Sequence, residues 1–391
     1  MAYNQDQITI VGGGIAGLVA AISCAEEGRK VLLHEATGKL GGRGRGADGP
    51  YIAHHGPHAL YGDGAFYGWL AKQKLLPKLA RPKATTVKVR IDGRMTRLPV
   101  PLIAAALRLR GKAPVDVDYR TWATERAGEQ TAQAAIGFVS LPTFHHDPGE
   151  LSAAFCHERF HRIVFHSTKV RYVVGGWSVL IANLAQRARD LGVEIHTGSR
   201  VTELPAPPAI LALPLSAARA LLPDRDLQST GTRTALLDIA ITAMHRSPRL
   251  VFDLTERLYL TRITGPDPSL APAGEDLIQA AAGIRPEESI DQATARIEAV
   301  IDAGFPGWRT RETWRRRSLA ENSSGAIDPP GKTWRDRPAI DQGDGIYLAG
   351  DQVAAEGLLG EVSFDSALRA AKMITRRSHV PPVRLAGAQA L

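Results

Sequence analysis

The chain has 391 residues, which exceeds one compact domain of roughly 100–200 residues and predicts two domains. Hydrophobic residues make up 44% and charged residues 23%, an ordinary soluble balance, and no run of about 18 apolar residues predicts a membrane-spanning helix. The formal net charge is +8, yet no basic run is interleaved with aromatic residues as in nucleic-acid-binding modules, so nucleic acid is not an expected partner.

The cysteine content and the start of the chain indicate a cellular compartment. Cys24 and Cys156 are too few for a disulfide framework and fit a reducing environment. Residues 1–7 are polar and lack the basic and apolar regions of a secretory signal. We therefore expect a cytoplasmic protein.

The first segment predicts a strand, a glycine turn, a helix and a second strand. Residues 8–11 are apolar and β-branched, residues 15–27 have helical spacing before Gly28, and residues 30–34 form the next strand. The turn at residues 12–17, GGGIAG, fits the G-x-G-x-x-G fingerprint of dinucleotide-binding domains.

The fingerprint suits a pyrophosphate at the start of the helix. Gly12 permits the tight turn, Gly14 lets the backbone approach the pyrophosphate, and Gly17 lets the helix pack closely against the strand. The free N–H groups of the helix then face the phosphates. Glu35, at the end of the second strand, can accept hydrogen bonds from both ribose hydroxyls and repels the 2′-phosphate of NADP.

The middle of the chain predicts a helical region followed by a sheet. Residues 119–166 are mostly helical, and residues 179–191 form an amphipathic helix before a strand at 193–195. Residues 234–264 alternate apolar and polar side chains, as strands of a half-exposed sheet do, and residues 289–303 form a helix.

Two further segments favour FAD over NAD. Residues 40–45, LGGRGR, allow close approach, and Arg43 can pair with a pyrophosphate as a bidentate fork. Near the C-terminus a strand runs into Gly350 and Asp351 before a helix from about Gly360. The acid can bind the ribityl hydroxyls of a flavin, and the helix N-terminus can stabilise negative charge on the flavin ring.

With these residues the chain resembles the FAD-dependent amine oxidase, phytoene desaturase and protoporphyrinogen oxidase superfamily, including its bacterial desaturase-like members. The resemblance implies an α/β fold with a Rossmann-type FAD-binding domain and an inserted α+β substrate domain that contains a mixed sheet. It assigns residues 1–80, 168–215 and 332–391 to the first domain, and 81–167 and 216–331 to the second. FAD is expected to be non-covalent, because no cysteine lies near the C-terminus to form the thioether of some members.

The same resemblance implies a set of FAD-binding residues. They come from the two glycine segments, the acid after the second strand, a segment beside the isoalloxazine, an adenine contact and the C-terminal turn. In chain order they are Gly12, Gly14, Ile15, Ala16, Gly17, Glu35, Ala36, Gly42, Arg43, Gly56, Pro57, His58, Val201, Gly350, Asp351, Leu359, Gly360 and Ser363. His58 is also the candidate catalytic residue, and we expect it to line the site with sheet residues near Met244.

Some positions depart from the superfamily pattern. The strand around residues 239–245 carries Met244 and no lysine where amine oxidases keep a flavin-facing lysine, which argues against a simple amine oxidase. Ala367 stands where many members have glycine, and the link between Val201 and Ile210 is short and proline-rich.

A second motif, H-E-x-x-H at residues 157–161, is typical of zinc sites on helices. No third ligand follows at a family spacing, so we predict a helix with partly solvated histidines and no metal.

The basic run of residues 81–112 has two interpretations. It holds nine basic residues against Asp92 and is either a solvated face or a patch for an acidic substrate or a membrane surface. A second cluster, Arg309 to Arg317, is interpreted as mostly solvated.

The predicted function is FAD-dependent oxidation of a small or medium organic substrate by hydride transfer from a C–H bond. The resemblance suggests desaturation or amine-type oxidation in bacterial isoprenoid or specialised metabolism, with oxygen or a quinone as electron acceptor. Two alternatives stay open: a non-redox isomerase or cyclase that uses FAD, and a non-catalytic FAD-fold protein that binds lipid or prenyl groups.

Overall fold

The computed structural model describes residues 7–82, 87–97, 99–228, 231–245, 247–322 and 325–377. Its strands are β1 (Gln7–Val11), β2 (Lys30–Glu35), β3 (Leu60–Tyr61), β4 (Leu79–Ala80), β5 (Val87–Ile91), β6 (Arg94–Thr96), β7 (Val170–Val173), β8 (Glu194–Thr197), β9 (Ala209–Leu211), β10 (Arg233–Thr242), β11 (Leu250–Asp253), β12 (Leu258–Arg262), β13 (Glu275–Gly283), β14 (Glu312–Glu321) and β15 (Ile346–Leu348). Its α-helices are α1 (Ile15–Glu26), α2 (Ala65–Lys72), α3 (Val100–Arg108), α4 (Tyr119–Ala127), α5 (Glu129–Thr143), α6 (Ala153–Phe165), α7 (Trp177–Asp190), α8 (Leu215–Leu221), α9 (Ile290–Gly304) and α10 (Gly360–Arg377).

A five-stranded parallel sheet in the order β15-β9-β1-β2-β8 carries the predicted nucleotide loop. Ile8 and Ile10 of β1 are fully buried, as are Leu18 and Ile22 of α1, which packs against α7 and α10. Such apolar strands are typical of parallel sheets covered by helices. The arrangement confirms the predicted Rossmann-type α/β fold.

A second, seven-stranded sheet has the order β14-β10-β13-β12-β11-β5-β6. Its neighbouring strands are antiparallel except β11 and β5, which are parallel, so the predicted mixed sheet is confirmed. The boundaries of the two predicted domains stay a prediction, because the strand order identifies which stretches join each sheet and not where a domain ends.

The strand β10 is buried on both faces, which corrects the expectation of a half-exposed sheet. Leu237, Ile239 and Ile241 pack in the apolar cluster beneath α9. On the opposite side, here called the inner face, Leu236 joins the helical layer, and Ala240 packs beside Tyr51 and Ala53 of the nucleotide-binding part. Successive side chains of β10 point to opposite faces, but both faces are covered by layers that come from remote stretches of chain.

Helices α3 to α6 form a layer whose apolar side chains pack against the sheet. The closest approach lies at Gly137 of α5, where an added Cβ would lie 2.1 Å from the carbonyl oxygen of Leu254. Helix α5 therefore approaches the turn after β11 too closely to tolerate a side chain at this position.

Within the described residues none of the helices is long and apolar enough to cross a membrane.

We expect Gly137→Ala to lower the free energy of unfolding by about 1–3 kcal/mol, because the new methyl group forces α5 away from the turn at Leu254. The matched control is Gly68→Ala in α2, where the Cβ meets nothing within 4 Å. That variant should gain up to about 1 kcal/mol from helix propensity. Urea denaturation measures both, and equal effects of the two substitutions would contradict the close approach.

Candidate functional site

The loop between β1 and α1 is tightly packed at its base and open at its tip. Gly12 has φ +108°, and a Cβ there would lie 2.2 Å from a backbone oxygen, while a Cβ on Gly17 would lie 1.8 Å from the carbonyl oxygen of Gly12. The Cβ position of Gly14, in contrast, has no atom within 4 Å. Ile15 and Ala16 form the first turn of α1. The free N–H groups of this turn therefore border open space, as a pyrophosphate site requires.

Glu35 is held beside this loop by three hydrogen bonds. The Gly13 N–H donates to its Oε2 over 2.8 Å, and the Thr37 N–H and hydroxyl each donate to its Oε1 over 2.8 Å. Ala36, between the acid and Thr37, is half-buried. The carboxylate is thus oriented by backbone donors at the carboxyl end of β2, where the ribose of a dinucleotide is expected.

Val201 lies close to the same acid through the turn that follows β8. The Ser199 N–H donates to the carbonyl oxygen of Glu35 over 2.9 Å, so this turn runs beside the end of β2. Val201 itself is half-buried against the core of the nucleotide-binding part. This position is compatible with the predicted adenine contact, which stays a prediction.

Arg43 and Asp351 meet although they are 308 positions apart in sequence. The guanidinium Nη1 lies 2.5 Å from the carboxylate Oδ2, and the pKa of Arg43 is raised chiefly by this negative charge. The Arg43 segment, which includes Gly42, is joined to the nucleotide loop because the Gly41 N–H donates to the Gly13 carbonyl over 2.8 Å. Two predicted FAD residues therefore form one ion pair at the edge of the sheet.

The C-terminal turn is fastened by Ser366, which the sequence did not identify. Its hydroxyl oxygen accepts from the Gly350 N–H over 2.9 Å and lies 3.1 Å from the carbonyl oxygen of Ser363. Leu359 has φ +52° just before Gly360 starts α10. This left-handed residue turns the chain sharply just before the helix N-terminus, whose contact with a flavin stays a prediction.

Trp177, at the start of α7, is where the predicted segments meet. Its buried ring lies 5.1 Å, centroid to centroid, from the ring of His58. A Cβ on Gly44 would lie 3.8 Å from the Trp177 ring, and one on Gly360 would lie 3.9 Å from it. The indole Nε1 is buried and has no hydrogen-bond partner among the described residues. Sequence analysis did not identify this tryptophan.

His54 and His58, which lie on the segment that contacts Trp177, are neutral at neutral pH. Burial lowers the pKa of His54 to about 3 and that of His58 to about 4. The His58 Nδ1 lies 2.7 Å from the carbonyl oxygen of Gly56, so it carries the proton and leaves Nε2 as an acceptor. The His54 Nε2 accepts from the backbone N–H of Trp177 over 2.8 Å. Pro57, beside them, is half-buried.

A row of polar side chains crosses the inner face of the sheet opposite His54. Arg316 of β14 donates over 2.6 Å to Asp238 of β10 and over 2.6 Å to the carbonyl oxygen of His54. Gln279 of β13 donates to the other Asp238 oxygen over 2.8 Å. Thr261 of β12, paired with Gln279, has a buried hydroxyl without a partner in the described part of the chain. No sequence signal singled out this row.

The expectation that His58 lines the site with sheet residues near Met244 stays a prediction. Met244 itself does not lie on the inner face. Its side chain packs with the cluster beneath α9, on the opposite side of the sheet from Asp238. On the inner face, Leu236 lies 3.6 Å from the Cβ position of Gly56, beside His58.

The H-E-x-x-H motif lies on α6, where the His157 ring packs against Trp122 and the His161 ring against Phe165. A different group, His145, His146 and Glu150, brings three possible metal ligands together among the described residues. The pKa of His146 is lowered chiefly by burial, while the nearby carboxylates of Glu150 and Asp147 raise it and two arginines lower it. The absence of a functional metal stays a prediction.

We expect the protein to lose stability as the pH falls below 6.5. Unfolded imidazoles take up protons there, whereas His54 and His58 stay neutral in the folded protein down to about pH 4. Each contributes a slope of about 1.4 kcal/mol per pH unit to the unfolding free energy. His54→Gln removes one of these protonation sites, so between pH 6.5 and 5 the slope should fall by about 1.4 kcal/mol per pH unit. An unchanged slope in urea titrations would show that His54 is charged in the fold.

Comparisons with known proteins agree with this geometry. Residues 7–76 match the family described as FAD dependent oxidoreductase. The fold is similar to that of an oxidoreductase from Methanosarcina mazei, with TM-score 0.76, 15% identity and coverage of 94% of this chain and 100% of the other. No protein with a curated function matches the chain.

Two further solved structures share the fold over nearly the whole chain. A candidate protoporphyrinogen oxidase from Exiguobacterium has TM-score 0.70, 17% identity and coverage of 95% of this chain and 98% of the other. Cyclohexylamine oxidase from Brevibacterium oxydans has TM-score 0.68, 14% identity and coverage of 95% and 99%. The chain therefore shares its fold with these oxidases, and residues 7–76 carry the signature of FAD-dependent oxidoreductases.

Proposed function

We propose that the protein removes a hydride from a C–H bond of a small or medium organic substrate, in a desaturation or an amine-type oxidation. One observation carries this proposal: His58, Gly44 and the start of α10 converge on Trp177. A flavin held by the nucleotide loop would reach this point, between the FAD-binding residues and the inner face of the second sheet. Such chemistry suits bacterial isoprenoid or specialised metabolism.

The residues present fit FAD along its whole length. The open N-terminus of α1 suits the pyrophosphate, the oriented carboxylate of Glu35 suits the ribose, and the Arg43–Asp351 pair lies where the ribityl chain would pass. The partnerless Nε1 of Trp177 offers one buried donor beyond them. FAD, when bound, supplies the hydride acceptor, and the protein supplies position and electrostatics.

The wall of the proposed substrate site favours a neutral reacting group. His58 offers an acceptor nitrogen, but its pKa of about 4 makes it a weak base at neutral pH. Asp238 is neutralised by Arg316 and bound by Gln279. The Thr261 hydroxyl, in line with them, is buried and has no partner among the described residues. These groups position a substrate, which is what hydride transfer to a flavin requires.

We expect Glu35→Ala to weaken FAD binding about 10- to 100-fold, because the ribose loses at least one charge-assisted hydrogen bond worth roughly 1.5–3 kcal/mol. Thr37→Val is the matched control, since it removes the hydrogen bond from the Thr37 hydroxyl to the Glu35 carboxylate and keeps the negative charge. Fluorescence titration of the apoprotein with FAD measures both affinities. Wild-type affinity in Glu35→Ala, with a thermal transition that FAD still raises, would contradict the role of the acid.

We expect His58→Ala to slow reduction of the flavin by substrate about tenfold while FAD stays bound, because the substrate loses a positioning acceptor. His55→Ala, a half-buried neighbour, should have little effect. The wild-type rate should show no break near pH 6.5, since His58 stays neutral. A loss of more than about 100-fold with such a break would identify a general base instead.

Anaerobic mixing of the purified holoprotein with candidate substrates tests the reaction itself. Bleaching of the flavin band by amines or by compounds with an allylic C–H bond would support the oxidation, and reoxidation by oxygen or a quinone would identify the electron acceptor. Turnover without net flavin reduction would favour an isomerase or cyclase. Binding of lipid or prenyl compounds with neither bleaching nor turnover would favour a non-catalytic role.

A further inference from the structure

We propose that helix α3 and the neighbouring Phe165 form a docking face for a membrane surface that carries anionic lipids. The docking face consists of Val100, Ile103, Leu107 and Phe165, whose side chains are exposed by 64%, 42%, 58% and 52%. The inference is independent of the reaction proposed above, since it rests on a surface outside the FAD site.

The helix α3 is apolar on two opposite sides. Ala105 and Leu109 are buried in the helical layer, together with the partly buried Leu102. Val100, Ile103 and Leu107, spaced three and four residues apart, share the solvent side. A helix that is hydrophobic all round is normally buried on both sides. The exposed apolar side of α3 therefore indicates a surface that binds to an apolar partner or medium.

Phe165 extends this stripe from a different element. It ends α6 and, with Leu109 and Arg110 after α3, lines an open cavity of about 460 Å³. His161, whose ring lies 4.5 Å from that of Phe165, lines the same cavity. The apolar side chains of two helices thus border one recess, which a lipid tail or headgroup can enter.

Unpaired positive charges flank the docking face. Arg94 and Arg97 precede α3, and Arg108, Arg110 and Lys112 end or follow it; all five are exposed. Within the described part of the chain, none of them forms an ion pair with a carboxylate. The cluster from Arg309 to Arg317 differs, because Arg309, Arg315, Arg316 and Arg317 are all ion-paired.

This combination favours a lipid surface over another protein as the occupant. An apolar stripe between cationic ends matches the boundary between acyl chains and anionic headgroups, into which an amphipathic helix inserts by about 5–10 Å. The Arg110 segment also lies near Arg126, which donates to the Arg110 carbonyl, so the positive region reaches the C-terminal end of α4. No acidic side chain of the described residues offsets the flanking charges by direct contact.

Co-sedimentation of the FAD-loaded protein with unilamellar vesicles tests the proposal. We expect binding to vesicles of phosphatidylcholine mixed with phosphatidylglycerol, weaker binding at high salt, and little binding to phosphatidylcholine alone. Ile103→Asp with Leu107→Asp, and separately Arg108→Glu with Lys112→Glu, should each reduce the affinity about tenfold or more. Flavin absorbance and the thermal transition show that each variant is folded.

Matched controls keep the test specific. Val179→Asp with Leu319→Asp changes two exposed apolar residues elsewhere, and Arg189→Glu with Arg200→Glu makes the same change in net charge away from α3. Both should bind like the wild type. No vesicle binding by the wild type, or equal losses in the control variants, would overturn the proposal. A dimer that only Ile103→Asp with Leu107→Asp dissociates, without vesicle binding, would assign the face to a second copy and overturn it too.

Discussion

The contact between Arg43 and Asp351 is the interaction on which the candidate site depends. It joins the segment after β2 to the turn after β15, and the first of these is hydrogen-bonded to the glycine loop after β1. One guanidinium therefore ties three loops together at the carboxyl ends of parallel strands, where ligands bind in open α/β sheets. A carboxylate as buried as Asp351 is costly unless it is paired, so the arginine stabilises the fold and shapes the cofactor site together.

A second junction joins the seven-stranded sheet to the segment that contains His54 and His58. Arg316 of β14 donates both to Asp238 of β10 and to the carbonyl oxygen of His54, so the segment that leads to His58 is anchored to the inner face. Burial on this side keeps both imidazoles neutral. In the proposed reaction these residues would position the substrate and form hydrogen bonds, and a bound flavin would supply the redox chemistry.

The helical layer links the proposed membrane surface to this junction. Ala105 of α3 belongs to the same apolar cluster as Leu236 and Tyr259 of the second sheet. Leu236 in turn lies against Gly56, close to His58 in the chain. A helix that rests on lipid would thus be one packed layer away from the substrate side of the sheet. Such an arrangement suits apolar substrates that partition into membranes, and it accounts for charges that are left unpaired around α3 while those of β14 are neutralised.

The sequence by itself determined the features that depend on a few adjacent residues. The glycine fingerprint, the acid at Glu35 and the Gly350–Asp351 turn predict backbone geometry and ligand type within one or two turns of chain, and the predictions of fold class and cofactor rest on them. Only the tertiary structure decided which remote groups meet. The row from Arg316 to Gln279 requires the register of three strands, Trp177 gains its role from contacts with distant glycines, and Met244 lies on the outer side because α9 covers it. Strand register and layer packing are set by burial of whole faces, which no local pattern in the chain encodes.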